Sequence, residues 1–163
     1  MADLSLQIQE LRHSQNQIKV IHYGCESWFE VKDRPVAISC IAIVDLETRD
    51  QVSFSLTDYK DPDAERHLLE QYYKYIRQTP DTLFLHWNMH SSDYGFAAID
   101  KRFTFLFGAD PPYTVPRDKR YDLDSLISHK YGGKYADHPK LATMGVLNRF
   151  SRRISIGDST QGS

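Results

Sequence analysis

Three stretches in the first third of the chain have the pattern of β-strands, with apolar residues dominating and alternate side chains on opposite faces. They run from Ile18 to Phe29, from Ile38 to Val44 and from Gln51 to Leu56. The polar connection from Asp45 to Asp50 is short, which favours antiparallel neighbours. The pattern therefore predicts an antiparallel meander that begins a sheet.

Helical spacing of apolar residues appears in four further places. They extend from Asp3 to Arg12, from Asp61-Pro62 to Ile76, from Asp122 to Tyr131 and from Pro139 onward. The first carries Leu4, Ile8 and Leu11 on one face. We expect this face to pack on its own domain rather than on a partner.

A short apolar run from Leu83 to Trp87 lies between Pro80-Asp81 and Asn88 and predicts a buried strand. Ser91 or Ser92 is expected to cap the next helix, which would place Asp93 in its first turn. Asn88 and Asp93 would then follow the C-terminal end of a strand, where open α/β sheets usually hold their chemistry.

These elements predict an α/β fold in which a mixed sheet, antiparallel at first and continued by further strands, is flanked by helices. A short edge strand is expected at Tyr113 to Val115, because the prolines on either side cannot donate ladder hydrogen bonds. The limits of these elements predict an N-terminal amphipathic helix over 1–16, a main α/β domain over 17–155 and a flexible tail over 156–163.

The composition narrows the classes of partner. The 163 residues are 40% hydrophobic, with a net charge of −2 and a pI of about 6.4, as in a single globular domain without an overall basic field. A polyanion would therefore have to be held by a local patch or by metal ions.

Neither a membrane partner nor a secreted state is indicated. No apolar run is long enough to cross a bilayer, and the N-terminus lacks a signal-peptide pattern. Cys25 and Cys40 have no paired spacing, so reduced thiols are expected, with a disulfide between neighbouring strands as the alternative. The prediction is a cytoplasmic protein.

Several short motifs resemble those of the DEDD-type 3'-5' exonucleases, including the proofreading domains of family B DNA polymerases. Gly24-Cys25-Glu26 stands where that family has Asp-x-Glu, and Asn88 to Asp93 keeps its Asn-x-x-x-Phe-Asp spacing, with Ser92 for Phe. Further on, Lys140-Leu141-Ala-Thr-Met-Gly145 resembles the family's Lys-Leu helix, and Tyr121-Asp-Leu-Asp-Ser-Leu126 the segment before it.

The resemblance implies a ribonuclease H-like fold and a site in which four carboxylates hold two divalent metal ions, Mg2+ or Mn2+. It assigns Glu26 and Asp93 as metal ligands and catalytic residues. Gly24 stands in place of the bridging Asp, and the only late acid, Asp158, has a different context. If the ancestral cleft survives, Gly24→Asp is expected to raise metal affinity.

Candidate contacts to nucleic acid combine stacking aromatics with cations, the usual solution for a single strand. The main candidates are Trp87, Asn88, Arg149, Arg152 and Arg153. Further candidates are Trp28, Phe29 and Tyr94 as stacking surfaces, and Lys101 and Arg102 as phosphate contacts. His86, His90 and Asp93 have zinc-ligand chemistry, but their spacing does not form a helical face.

Three functions remain open. The first is a degenerate 3'-5' exonuclease-like domain that binds single-stranded DNA or RNA, or a larger protein assembly, with weak or no catalysis. The second is an active metal-dependent 3'-5' exonuclease, whose missing acids come from other positions, such as Asp45 or Asp124, or from sequence beyond Ser163. The third is an unrelated α/β protein-interaction module.

Overall fold

The computed structural model describes residues 3–27 and 29–148. It contains a five-stranded mixed sheet with helices on both faces, which confirms the α/β class and the antiparallel opening. The strands are β1 (Ile18–Cys25), β2 (Ile38–Asp45), β3 (Gln51–Ser55), β4 (Leu83–His86) and β5 (Arg120–Asp122). The helices are α1 (Leu4–His13), α2 (Ala64–Ile76), α3 (Phe96–Phe107), α4 (Leu123–Tyr131) and α5 (Lys140–Leu147).

The strand order in the sheet is β3-β2-β1-β4-β5. Strands β1, β2 and β3 pair antiparallel, whereas β4 is parallel to both β1 and β5. The C-terminal ends of β1, β4 and β5 therefore meet at one edge of the sheet. This edge carries the segments after Cys25, His86 and Asp122.

The side-chain alternation of the strands divides the core into two layers. Phe84 of β4 and Ile21 and Tyr23 of β1 belong to the layer that packs against α2 and α3. Leu83 and Leu85 face the other way, because successive strand residues point to opposite faces. They form the second layer with Tyr121 and Leu126.

Helix α1 covers part of the second layer. Asp3 caps it by accepting hydrogen bonds from the backbone N–H groups of Ser5 and Leu6. Leu4, Ile8 and Leu11 pack against the cluster of Leu83, Leu85, Tyr121 and Leu126. The expected packing of this helix on its own domain is confirmed.

Three local expectations are wrong. No strand forms at Tyr113 to Val115, and the edge of the sheet is instead β5, three residues long. The Val115 carbonyl accepts from the Arg120 guanidinium rather than from a ladder. The first strand ends at Cys25 rather than Phe29.

The third concerns α3, which begins at Phe96, so Asp93 lies before its first turn. The Ser91 hydroxyl instead accepts from the N–H groups of Asp93 and Tyr94 and closes a local turn. Gly95 then enters the helix with φ 122°, and an added Cβ would lie 2.0 Å from the Met89 carbonyl oxygen. Only glycine fits this position.

The chain divides into two compact units, the first ending at Leu126 and the second beginning at Ile127. The sheet, both core layers and the start of α4 belong to the first unit. The described part of the second contains the rest of α4 and helix α5. In the part of the chain that the structure describes, no helix has the length and apolar character needed to span a bilayer.

Candidate functional site

Glu26 follows β1 at the carboxyl edge of the sheet, and both of its carboxylate oxygens are engaged. Arg34 donates from Nη1 to Oε2 at 2.8 Å and from Nη2 to Oε1 at 3.1 Å. The Ala37 N–H also donates to Oε2, at 2.9 Å. The hydrogen bonds from Arg34 and Ala37 lower the pKa of Glu26 to about 2. The carboxylate is thus ionised at neutral pH, with a guanidinium as its counterion.

A second arginine–glutamate pair holds the same loop from the opposite side. Arg102 of α3 donates from Nε and Nη2 to the two carboxylate oxygens of Glu65, at 2.8 and 2.7 Å. Its Nη1 donates to the Pro35 carbonyl, and the Ile38 N–H donates to Glu65. Both side chains of this pair are largely buried. Residues 34–38 are therefore fastened to β1, α2 and α3.

The two cations that the sequence predicted as further phosphate contacts, Lys101 and Arg102, differ in their exposure to solvent. Arg102 is buried and bonded to Glu65 and the Pro35 carbonyl, so it does not face solvent. Lys101 is more than half exposed, and its Nζ donates to the Ser92 carbonyl at 2.8 Å. Of the two, Lys101 alone has a free surface.

Asp93 lies in the loop before α3 and is largely solvated. Its side chain is 72% exposed, and one carboxylate oxygen lies 3.8 Å from Lys101 Nζ. An ion pair at this exposure contributes little to stability. Asp93 is therefore free to meet a ligand, whereas Glu26 is bound within the protein.

Asp93 and Arg34 line the same cleft, which has a volume of about 330 Å³. One wall is the loop that contains Lys32, Arg34 and Pro35, and the other is formed by Ser92, Asp93 and Lys101. We call this the basic cleft, because three cations line it against one carboxylate. Glu26 borders it through its bond to Arg34. Arg34 thus binds one of the two predicted metal ligands, Glu26, and lines the same cleft as the other, Asp93.

Asn88 is held in a strained turn by two acids of the neighbouring strand and helix. It has φ 54°, and its N–H donates to Asp122 Oδ1 at 2.8 Å. Its side-chain amide donates to Asp124 Oδ2 at 3.1 Å. Asn and Asp tolerate the left-handed region better than most residues. Asp124 thus supports Asn88 in this structure.

The histidines of this region do not form a metal cluster with Asp93. His86 is buried, and its Nδ1 accepts from the Met89 N–H at 3.1 Å. Burial lowers the pKa of His86 to about 4, so the ring is neutral at pH 7. His90 is exposed and lies 3.7 Å from Asp122 rather than near Asp93.

The remaining candidates are distributed as follows. Trp87 is half-buried just after β4, and Tyr94 stacks on Tyr23 with ring centroids 4.9 Å apart. Arg149, Arg152, Arg153 and Trp28 lie outside the described residues. Their assignment to nucleic acid stays a prediction.

A divalent metal does not fit the arrangement of the described side chains. No group of three or more His, Cys, Asp or Glu residues in the described ranges could hold a metal ion. Gly24 supplies no ligand, and a Cβ there would lie 3.0 Å from Ser39 Oγ and 3.1 Å from Cys40 Sγ. Asp45, a possible substitute, is at the opposite end of the sheet, where it bonds to Gln17 and the Thr48 N–H.

No family model matches the chain, and no curated protein is significantly similar to it. The site must therefore be interpreted from its own contacts. Sequence reasoning identified Glu26 and Asp93 but missed Lys32 and Arg34. The only available signal was the run Lys32-Asp-Arg-Pro35, which is indistinguishable from an ordinary solvated loop.

Proposed function

We propose that the chain is a degenerate 3'-5' exonuclease-like domain of the ribonuclease H-like fold that binds single-stranded nucleic acid and does not cleave it. The observation that carries this proposal is the bidentate bond between Glu26 and Arg34. Two-metal hydrolysis requires carboxylates whose oxygens are open to the ions. Here the Arg34 guanidinium neutralises Glu26, the glutamate that the resemblance assigns to the metal site, from within the chain.

The sheet supports the fold in this proposal. It opens with three antiparallel strands, continues with two parallel strands, and is covered by helices on both faces. Glu26 and Asn88 follow β1 and β4, which are parallel neighbours. Two of the motifs that resemble the exonucleases, those around Glu26 and Asn88, thus come from one edge of one sheet, as a shared site requires.

The surface beside these motifs supports binding rather than hydrolysis. The basic cleft has an excess of cations although the whole chain has a net charge of −2. Phe29, in the same connection between β1 and β2, is 69% exposed. A cationic groove combined with exposed aromatic rings is a common way of holding a single strand.

The test is a titration with Mg2+ and Mn2+, followed by NMR shifts at Glu26 and Asp93, and then addition of an end-labelled single strand. We expect the strand to bind equally in EDTA and in Mn2+, to keep its length, and to leave both carboxylates insensitive to the metals. Glu26→Gln and Asp93→Asn, purified in parallel, identify any contaminating nuclease. Metal-dependent shortening from the 3' end that both substitutions abolish would establish an active exonuclease instead.

A further inference from the structure

The cations of the basic cleft differ in how much of their hydrogen-bonding capacity is used. Lys32 is exposed and forms no ion pair within the described residues. Arg34 binds Glu26 and the Pro35 carbonyl through Nη1 and Nη2, and its Nε makes no hydrogen bond to the described part of the chain. Lys101 uses one donor on the Ser92 carbonyl. Each cation therefore retains at least one donor.

The position of Arg34 is also fixed. Its carboxylate partner, Glu26, is itself held by the Ala37 N–H, and the following Pro35 carbonyl accepts from the buried Arg102. A pre-positioned guanidinium loses little side-chain freedom when an anion binds. Lys32 and Lys101 stand on opposite walls of the cleft and can reach an anion from two sides.

We propose that the basic cleft is a phosphate-binding site that works without a metal ion, with Lys32, Arg34 and Lys101 as its cationic contacts. This proposal rests on the proposed function, because the phosphate it assigns to the cleft belongs to the backbone or the end of a single strand. A volume of about 330 Å³ accommodates a phosphate group with part of a nucleotide. In this arrangement, tethered cations do what divalent ions do in a metal-dependent site.

The charges around the cleft predict that Asp93 weakens ligand binding. Lys32, Arg34 and Lys101 line the cleft together with Asp93, which lies 3.8 Å from Lys101 Nζ, and Glu26 already balances Arg34. Three cations less two carboxylates leave one positive charge. Asp93 therefore opposes an anionic ligand, whereas a metal site would depend on it.

The experiment measures binding of short labelled oligothymidine and oligouridine by fluorescence anisotropy in EDTA, over a range of salt concentrations. Lys32→Ala and Lys101→Ala are each expected to weaken binding roughly three- to tenfold, between the values of an exposed ion pair and a charged hydrogen bond. Each should also reduce the slope of log affinity against log salt by about 0.7. Asp93→Asn is expected to strengthen binding.

Lys74→Ala is the matched control, because Lys74 is an exposed lysine of α2 that does not line the cleft. Its affinity and salt slope should equal those of the unmodified protein. Thermal unfolding of every variant verifies that the fold is intact. Equal binding of the two strands would assign recognition to the shared phosphate rather than to the sugar.

The outcomes separate this proposal from the function on which it rests. If the protein binds the strand and Lys32→Ala, Lys101→Ala and Asp93→Asn leave this binding unchanged, the cleft is not the phosphate site. The proposed function would then be retained. Inorganic phosphate that shifts the NMR signals of Lys32 and Lys101 while neither strand binds would support the phosphate site and overturn nucleic-acid binding. Absence of both responses would overturn both.

Discussion

A single ion pair decides how the carboxyl edge of this sheet is to be interpreted. Glu26 is one of the two residues that the exonuclease resemblance assigns to a metal, yet both of its oxygens accept from Arg34. A carboxylate in such a pair stabilises the fold by fastening the loop at 34–38. The same contacts engage both of its oxygens, so a hard cation would have to compete with Arg34 and the Ala37 N–H for them.

The first prediction concerns the pH dependence of this pair. The pKa of Glu26 falls from 4.5 in the unfolded chain to about 2 in the folded protein. The stabilisation is therefore present above pH 4.5 and lost as the pH falls towards 2. Because the pair is more than one-third exposed, we expect Glu26→Gln to cost only about 1 kcal/mol at pH 7.

Chemical denaturation of the two proteins between pH 7 and pH 2 measures this difference, which should shrink below pH 4.5. Glu47→Gln, at an exposed glutamate outside the loop, is the control and should have no effect at any pH. A difference independent of pH would mean that Glu26 acts through packing rather than through its charge.

At the scale of elements, Arg102 and Glu65 join α2, α3 and the loop before β2. The pair is largely buried, and it also satisfies the Pro35 carbonyl and the Ile38 N–H. Removing one partner leaves the other charged, buried and unpaired. The loop that carries Arg34 depends on this contact.

We expect Arg102→Ala to lower the free energy of unfolding by about 3 kcal/mol, as in other broken buried pairs. Arg66→Ala is the matched control on α2, because Arg66 is 44% exposed and its Nε forms only a loose ion pair, 3.7 Å from Asp63 Oδ1. It should cost less than about 1 kcal/mol. Urea denaturation compares them, and similar losses would show that burial of the Arg102 pair has no special importance.

At the scale of the whole molecule, stability should not depend on divalent ions. A ligand that binds the native state raises its stability in proportion to the logarithm of its concentration over Kd. No set of three metal-ligating side chains occurs within residues 3–27 and 29–148. We therefore expect the unfolding temperature to be the same in EDTA, Mg2+ and Mn2+.

Gly24→Asp extends this test. The new Cβ would press on Ser39 and Cys40 while Glu26 stays bound to Arg34. We expect a lower unfolding temperature and still no response to Mn2+. Combining Gly24→Asp with Arg34→Ala frees Glu26, and only this double variant should be stabilised by Mn2+. A response of Gly24→Asp alone would show that the Arg34 bond does not block the site.

Much of the fold could be predicted from the chain alone, because its signals are local. Alternation at Ile18 to Cys25 and at Ile38 to Asp45 requires strands with one buried face, and the Leu4, Ile8 and Leu11 stripe requires a surface to cover. The predicted strand at Tyr113 to Val115 does not form, and the Val115 carbonyl accepts from the Arg120 side chain, a contact with no signal in the local pattern. The start of α3 at Phe96 was missed because Gly95 must fit against Met89.

The local pattern of the chain was enough to predict the α/β class and the antiparallel opening, and to single out Glu26, Asn88 and Asp93. What each of these three side chains contacts depends on the packed fold. Arg34 lies eight positions after Glu26 in the chain, and Asp124 lies thirty-six positions after Asn88. Charge partners of this kind depend on which loops the packed sheet and helices bring together. They have no periodic signal in the sequence, and here they convert two apparent metal ligands into one structural carboxylate and one exposed acid.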